Sequence, residues 1–95
     1  MITKYDKNCA ICGTPVDRAD IHHLLMGSLR HLADDDGLCI PICRICHTDL
    51  HQNPIATELS KICGQVAYEK HKVAEGMTED EAREAFRHRY QRSYL

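Results

Sequence analysis

The sequence predicts a small α+β fold that is mostly helical and is held together by a bound metal ion. Three observations lead to this prediction: two cysteine pairs, two short apolar stretches before residue 43, and a long helical pattern after residue 54. A chain of 95 residues buries little apolar area, and a metal staple can compensate for the missing core. We expect one domain, with a lead-in at 1–8, a metal-stapled core at 9–52 and C-terminal helices at 54–95.

Two Cys-x-x-Cys pairs carry the metal prediction. Four thiolates at this spacing are typical of one closed, tetrahedral structural zinc site. The predicted ligands are Cys9, Cys12, Cys43 and Cys46. Cys39 and Cys63 lack a close partner at ligand spacing, so we expect them to be small buried hydrophobes. A rival ligand set with Cys39 in place of Cys43 would break the second pair.

Composition narrows the class of function. The first seven residues are polar and no apolar run reaches membrane-spanning length, so we expect an intracellular protein without a signal peptide or membrane contact. Thiols stay reduced in that compartment, which favours metal over disulfides, although a redox or iron–sulfur protein is an alternative use of six cysteines. The net charge of −2 excludes a generally basic nucleic-acid coat.

The strands are predicted before residue 43. Residues 19–25 and 37–42 are typical of short strands, and Pro41 places the second one at a sheet edge or a strand end. Residues 27–36 have helical spacing, but the segment is too short for the pattern to decide. Gly13 permits a tight turn after the first cysteine pair.

The helices are predicted from residue 43 onwards. Residues 43–51 should open a helix, and Pro54 suits the first turn of a long amphipathic helix that Gly76 ends. Its apolar positions, sufficient to pack on the core and on a second copy, are Ile55, Leu59, Ile62, Val66 and Val73. Thr78 and Glu81 match a capping box that opens a last helix. The apolar side of that helix holds Ala82, Ala85, Phe86, Tyr90 and Tyr94.

Four histidines suit a second metal ion. His47 and His51 are four residues apart, so a helix places them on one face, and His22 could supply a third ligand from the first strand. Three imidazoles leave positions open for water or a phosphate oxygen, which is the catalytic pattern. His23 is the candidate general base, since an imidazole accepts protons near neutral pH. A regular strand points His22 and His23 to opposite faces, so the alternative is that one of them is packed or solvated.

The remaining polar residues have simpler interpretations. We expect His31, His71 and His88 to be solvated. Asp20 shares a strand face with His22, so it is either a carboxylate that orients a ligand histidine or a plain surface residue. An all-imidazole ligand set suits Mn²⁺, Ni²⁺, Co²⁺ or Zn²⁺ better than Mg²⁺.

Together these residues resemble the HNH endonuclease superfamily, the ββα-metal nucleases, and in particular small phage-encoded HNH proteins. The matching stretches are Cys9-x-x-Cys12-Gly13, Ile21-His22-His23-Leu24, Gly27-Ser28-x-Arg30, Gly37-Leu38-x-Ile40-Pro41-Ile42-Cys43-x-x-Cys46-His47, His51, Gly64-Gln65-x-Ala67-Tyr68-Glu69 and Arg92-Ser93-Tyr94-Leu95. The resemblance spans nearly the whole chain, and its specific part runs from His22 to His51. It implies a zinc-stapled, treble-clef-like ββα-metal core and a DNA-hydrolysing enzyme, which would act in the host cytoplasm if phage-encoded.

The resemblance also implies residue roles. His23 would be the general base, and His22, His47 and His51 would hold a catalytic divalent cation, while the four paired cysteines would hold the structural zinc. The expected contacts to DNA phosphates, which carry little sequence preference, are Arg30, Arg44, Arg87, Arg89 and Arg92. Specificity would then come from a homodimer or from a phage protein partner.

One departure from the family pattern favours a different function. The central Asn of the motif is missing upstream of His47, and Asp36 is its candidate substitute through local backbone hydrogen bonds. The alternative function is therefore a non-catalytic, zinc-binding adaptor for DNA or protein on the same scaffold.

Overall fold

The computed structural model describes residues 8–16 and 19–95, so that the predicted lead-in lies, apart from Asn8, outside the described residues. Its elements are β1 (Asp20–His23), a 3-10 turn (Gly27–Leu29), α1 (Arg30–Asp36), β2 (Cys39–Ile42), α2 (Arg44–Gln52), α3 (Pro54–Ala74) and α4 (Glu79–Tyr90). This mostly helical arrangement with one small sheet confirms the α+β prediction. None of the helices in the described part has both the length and the hydrophobicity to cross a membrane.

The two strands pair antiparallel, with Asp20 opposite Ile42 and His23 opposite Cys39. The 3-10 turn and α1 connect them, which settles the segment that the sequence left open. Pro41 fits in β2 because both strands of a two-stranded sheet are edges, where a missing N–H donor is tolerated. The short sheet thus fixes the relative positions of β1 and of the start of α2.

Each long helix begins with a side-chain cap that the sequence specifies. Asn53 Oδ1 accepts hydrogen bonds from the N–H groups of Ile55 (3.0 Å) and Ala56 (3.2 Å) at the start of α3. Thr78 and Glu81 form the predicted capping box at the start of α4. These bonds satisfy N–H groups that have no partner inside the helix.

α3 and α4 enclose the main apolar core together with the segment that follows β1. Leu25, Leu38, Phe86 and Tyr90 are fully buried, and the Tyr68 ring contacts those of Phe86 and Tyr90 edge to face. The buried positions of α4 are those that its apolar spacing predicts. This core holds the long helices against the sheet and against the loop after it.

The carboxylate of Asp36 joins α1 to α4. Its Oδ2 accepts a hydrogen bond from the Tyr90 hydroxyl (2.5 Å) and one from Arg89 Nε (2.6 Å). Burial, with the nearby Asp36 charge, raises the pKa of Tyr90. Both bonds go to Oδ2, so only Oδ1 is left for the local backbone bonds by which Asp36 would replace the missing Asn.

The buried face of α3 differs from its most apolar face. Its buried residues are Ser60, Gly64, Gln65 and Tyr68, whereas Ile55 and Leu59 are 73% and 53% exposed. The reason is a close approach of backbones: a Cβ on Gly64 would lie 3.1 Å from Leu24 Cβ and 3.2 Å from Leu25 Cγ. α3 therefore packs closely on the segment after β1, and this packing places Ser60 beside His22.

Candidate metal centre

Four thiols converge where the N-terminal turn meets α2. We call Cys9, Cys12, Cys43 and Cys46 the thiol cluster; their sulfur atoms all lie within 4.8 Å of one another. Gly13 closes the first pair: its N–H donates to the Cys9 carbonyl at 2.9 Å, and its φ of 75° is one that other residues rarely adopt. Cys43 caps α2, since its Sγ accepts the Cys46 N–H at 3.4 Å.

The spacing of these sulfurs fits zinc and not disulfides. The four residues are free thiols, and Cys12 Sγ lies 3.9 Å from Cys43 Sγ. Four sulfurs at about 2.3 Å from a tetrahedral zinc ion lie about 3.8 Å apart. The thiol cluster could therefore hold a metal ion such as zinc, as the paired cysteines predict.

The acidity of the thiols reflects their crowding. Burial raises the pKa of Cys9, but N–H groups of Cys12, Cys43 and Ile11 outweigh it and lower the pKa to about 6. The hydrogen bond with Cys43, followed by burial, raises the pKa of Cys46 to about 12. Repulsion between like charges in one site separates the pKa values of the groups in this way, and a bound cation would relieve the repulsion.

A second group of donors is formed by two residues of α2 that follow the cysteines and by one residue of β1. We call His22, His47 and His51 the imidazole cluster; one nitrogen from each lies within 4.8 Å of the others. His47 and His51 share a face of α2, and their Nε2 atoms are 3.0 Å apart. Two nitrogens bound to one zinc ion would lie about 3.3 Å apart. The donor set and its spacing therefore fit a single divalent cation.

Two side chains determine which nitrogens can face that cation. The Ser60 hydroxyl donates to the Leu24 carbonyl (2.9 Å), so it accepts from His22 Nε2 (2.9 Å) and leaves the lone pair on Nδ1. Asp20 Oδ2 accepts from His47 Nδ1 (3.0 Å), which leaves the lone pair on Nε2. Fixing the second nitrogen in this manner is how proteins orient metal-binding imidazoles.

Electrostatics within this cluster keep its buried member neutral. Burial, with the charges of the other two imidazoles, lowers the pKa of His22 to about 4, so this ring is neutral at pH 7. The hydrogen bond with His47 lowers the pKa of Asp20, helped by the charge of Arg44. Solvent exposure increases across the cluster from buried His22 to exposed His51, so solvent can reach the cluster from the side of His51.

His23 lies at the end of β1, where strand alternation directs it away from His22. Its Nε2 donates to Asp34 Oδ1 on α1 at 3.1 Å. A cleft of about 280 Å³ is nevertheless lined both by His23 and by the whole imidazole cluster, together with Arg30. The chain bends directly after His23, so that both histidines border one cleft although their rings do not share a face.

The predicted DNA-binding arginines fall into two groups. Arg30 lines the cleft, and Arg44 Nε lies 3.0 Å from Asp20 Oδ2 with its side chain 83% exposed. The structure places the others on or just after α4. Arg87 is in an ion pair with Glu84, Arg89 binds Asp36, and Arg92 is exposed. Arg30 and Arg44 are thus the two that the fold brings to the histidines.

Some neighbours of the site were not expected from the sequence. Ser60 comes from α3 and Asp34 from an acidic run, and neither has a spacing that marks it as a site residue. Cys39 is buried as predicted, but its donor atom lies near His23 and Asp34, whereas Cys63 is exposed, so its predicted burial is wrong. The solvated histidines are confirmed: His31, His71 and His88 are exposed.

No protein-family model, curated protein or solved structure matches this chain. The residues of the site provide one four-thiol cluster and one three-imidazole cluster, joined by α2 and bordered by an accessible cleft.

Proposed function

We propose that this protein is a metal-dependent DNA endonuclease or nickase of the HNH type. The observation that carries the proposal is the convergence of three imidazoles at a cleft that a fourth histidine also borders. The order β1, β2, α2, with both cysteine pairs at the thiol cluster, supports a zinc-stapled, treble-clef-like core. His22, His47 and His51 are the proposed ligands of the catalytic cation.

His23 is the proposed general base. Asp34 can only accept a hydrogen bond, so the His23 ring carries its proton on Nε2 and offers its Nδ1 lone pair to a water molecule. Transfer of the water proton to Nδ1 is worth about 10²–10⁴-fold in rate. A divalent cation held by the imidazole cluster would supply charge relief at the phosphate and leaving oxygens.

DNA is the proposed substrate, because Arg30 lines the cleft and Arg44 lies beside His47 and His51. Arg44 is the first residue of α2, and its side chain is 83% exposed. Arginine contacts to phosphates position the DNA backbone without reading its sequence. We expect DNA affinity to fall steeply with salt, and a smaller salt dependence in Arg30→Ala and Arg44→Ala.

The test is cleavage of supercoiled plasmid by the zinc-loaded protein in Mn²⁺, Ni²⁺, Co²⁺ and Mg²⁺. We expect cleavage that is stronger with the first three ions and that falls about 10²–10⁴-fold in His23→Ala. His71→Ala is the matched control, since His71 is an exposed histidine on α3. Activity with Mg²⁺ alone, or full activity of His23→Ala, would contradict the assignment of ligands or base.

A non-catalytic adaptor is the second candidate, and one observation favours it. Asp36 Oδ2 is engaged by Arg89 and Tyr90, which competes with a role in place of the Asn that the family uses to steady the loop of the base. If a folded, zinc-loaded protein binds DNA but cleaves it with none of the four ions, this second function is the correct one.

A further inference from the structure

The face of the sheet opposite His22 carries a third set of donors. His23 and Cys39 are paired residues in the β1–β2 register. Directly opposed residues of an antiparallel pair point to the same face, with Cβ atoms about 4.5–5.5 Å apart. The pairing therefore brings an imidazole and a thiol together from two strands that are far apart in sequence.

α1 adds a carboxylate above this pair. Asp34 Oδ1 lies 3.1 Å from His23 Nε2, and the donor atoms of His23, Asp34 and Cys39 all lie within 4.8 Å of one another. We call these three residues the sheet-face cluster. The exposure of its side chains increases from Cys39, which is buried, through His23 at 13% to Asp34 at 69%. An open cleft of about 450 Å³ is lined by His23 and Asp34, so a cation can approach from the carboxylate side.

We propose that the sheet-face cluster is a further metal site, selective for a borderline-soft divalent cation such as Zn²⁺. Imidazole, carboxylate and thiolate are the three ligand types that zinc accepts, and three protein ligands leave a fourth position for water. The thiolate disfavours Mg²⁺ and Ca²⁺, which take oxygen ligands. On binding, the Cys39 thiol gives its proton to solvent and the His23 Nε2 proton is displaced to Nδ1.

This proton displacement has a consequence for catalysis, which rests on the proposed function. A neutral imidazole has one lone pair, so His23 cannot bind a cation through Nε2 and accept a proton at Nδ1. Zn²⁺, and Co²⁺ or Ni²⁺ at concentrations above those that fill the imidazole cluster, therefore inhibit cleavage by occupying the proposed base at the sheet-face cluster. Zinc would then have opposite effects at two sites: it stabilises the fold at the thiol cluster and stops the reaction here.

Cobalt spectroscopy tests the site without any assay of activity. The full-length protein, with zinc in its thiol cluster, is titrated with Co²⁺ alone, and thiolate-to-cobalt charge-transfer absorbance is recorded. Imidazole ligands do not give this band, and Zn²⁺ outcompetes Co²⁺ for the thiol cluster. We expect a band in the wild type that is lost in Cys39→Ala and retained in Cys63→Ala, the matched control with an exposed cysteine on α3.

Asp34→Ala is the second variant, in case loss of the buried thiol harms folding. Asp34 is well exposed, and this variant keeps all six cysteines, so the band should appear only at Co²⁺ concentrations at least about 10-fold higher. Absence of the band in the wild type, or its persistence in Cys39→Ala, overturns the site. An unchanged Co²⁺ titration in Asp34→Ala also overturns it, since Asp34 then merely orients His23.

A cleavage assay separates the site from the proposed function. Zinc added to the Mn²⁺ reaction should inhibit the wild type, and Cys39→Ala should need at least about 10-fold more zinc for the same inhibition. Equal zinc sensitivity of the two proteins contradicts the inhibitory role. If neither protein cleaves DNA but the cobalt band depends on Cys39, the proposed function is wrong and the metal site is correct.

Discussion

The thiol cluster and the imidazole cluster share one helix but differ in how many donors they provide. Cys43 caps α2, and the helix itself contributes Cys46, His47 and His51. The thiol cluster has four donors, which fill a tetrahedral ion, whereas the imidazole cluster has three and leaves a position open. A single short helix therefore contributes donors to two clusters with different numbers of ligands.

The two clusters also differ in what orients their donors. Backbone N–H groups of the turn and of the helix terminus contact the sulfurs, and the Thr14 hydroxyl lies 3.1 Å from Cys12 Sγ. Side chains hold the imidazoles, through Ser60 on α3 and Asp20 on β1. Substitutions outside the ligands should therefore affect the imidazole cluster more than the thiol cluster.

The largest expected effect is the loss of a thiol ligand. Cys46→Ser should lose the structural zinc and destabilise the whole N-terminal half by several kcal/mol, because zinc binding in such small domains contributes about 10–16 kcal/mol. Zinc content by mass spectrometry and thermal unfolding followed by circular dichroism measure this. Cys63→Ser is the control, and it should retain both zinc and stability. A Cys46→Ser protein with normal zinc content would remove Cys46 from the ligand set.

Loss of an imidazole ligand should affect the metal and leave the fold intact. His51 is exposed, so His51→Ala removes little packing, but it should weaken Mn²⁺ binding by more than the roughly 10–100-fold that outer-shell changes cause. Calorimetric titration of Mn²⁺ into the zinc-loaded protein gives the affinity, and the melting temperature gives the fold. His88→Ala, on the exposed face of α4, should bind Mn²⁺ as the wild type does.

Removing the support of an imidazole is expected to have a smaller effect. Asp20→Ala frees His47 Nδ1 and should weaken Mn²⁺ binding about 10–100-fold, with zinc still in the thiol cluster. Asp20→Asn retains an acceptor oxygen and should recover part of the loss. Asp35→Ala, which removes an exposed carboxylate of α1, controls for the change in net charge. Equal affinities in Asp20→Ala and Asp35→Ala would mean that Asp20 acts only through long-range charge.

The sequence predicted local features well because each depends on a few adjacent residues. The cysteine pairs, the capping box at Thr78 and the four-residue spacing of His47 and His51 are all specified within one or two turns. The strands were also predicted, although each is shorter in the structure than its apolar pattern suggested. Such features require no knowledge of how distant segments pack.

The features that the sequence did not reveal depend on register and on close packing. Cys39 gains His23 as a neighbour only through strand pairing, and Ser60 reaches His22 only because Gly64 lets α3 approach Leu24. The burial of α3 was misjudged for the same reason, since apolar spacing alone cannot show that small residues allow the closest contact. Asp36 likewise finds its partners more than fifty residues away.

The smallest expected effect lies far from both clusters, at the start of α4. Thr78→Ala removes the bond that the Glu81 N–H donates to the Thr78 hydroxyl, so the free energy of unfolding should fall by about 1 kcal/mol. Zinc content and Mn²⁺ affinity should stay unchanged, which a titration on the same sample checks. A change in either quantity would mean that α4 is coupled to the metal-binding half more tightly than the core contacts indicate.

The same cap makes a prediction about pH. Hydrogen bonding from the Thr78 backbone N–H lowers the pKa of Glu81 below its usual value. Its stabilising effect is therefore fully present above the unfolded-state pKa and disappears as pH falls through the folded-state pKa. The difference in melting temperature between wild type and Glu81→Gln should accordingly be largest near neutral pH and shrink on acidification. Acid release of zinc affects both proteins equally, so a pH-independent difference would show that the Glu81 charge contributes nothing to stability.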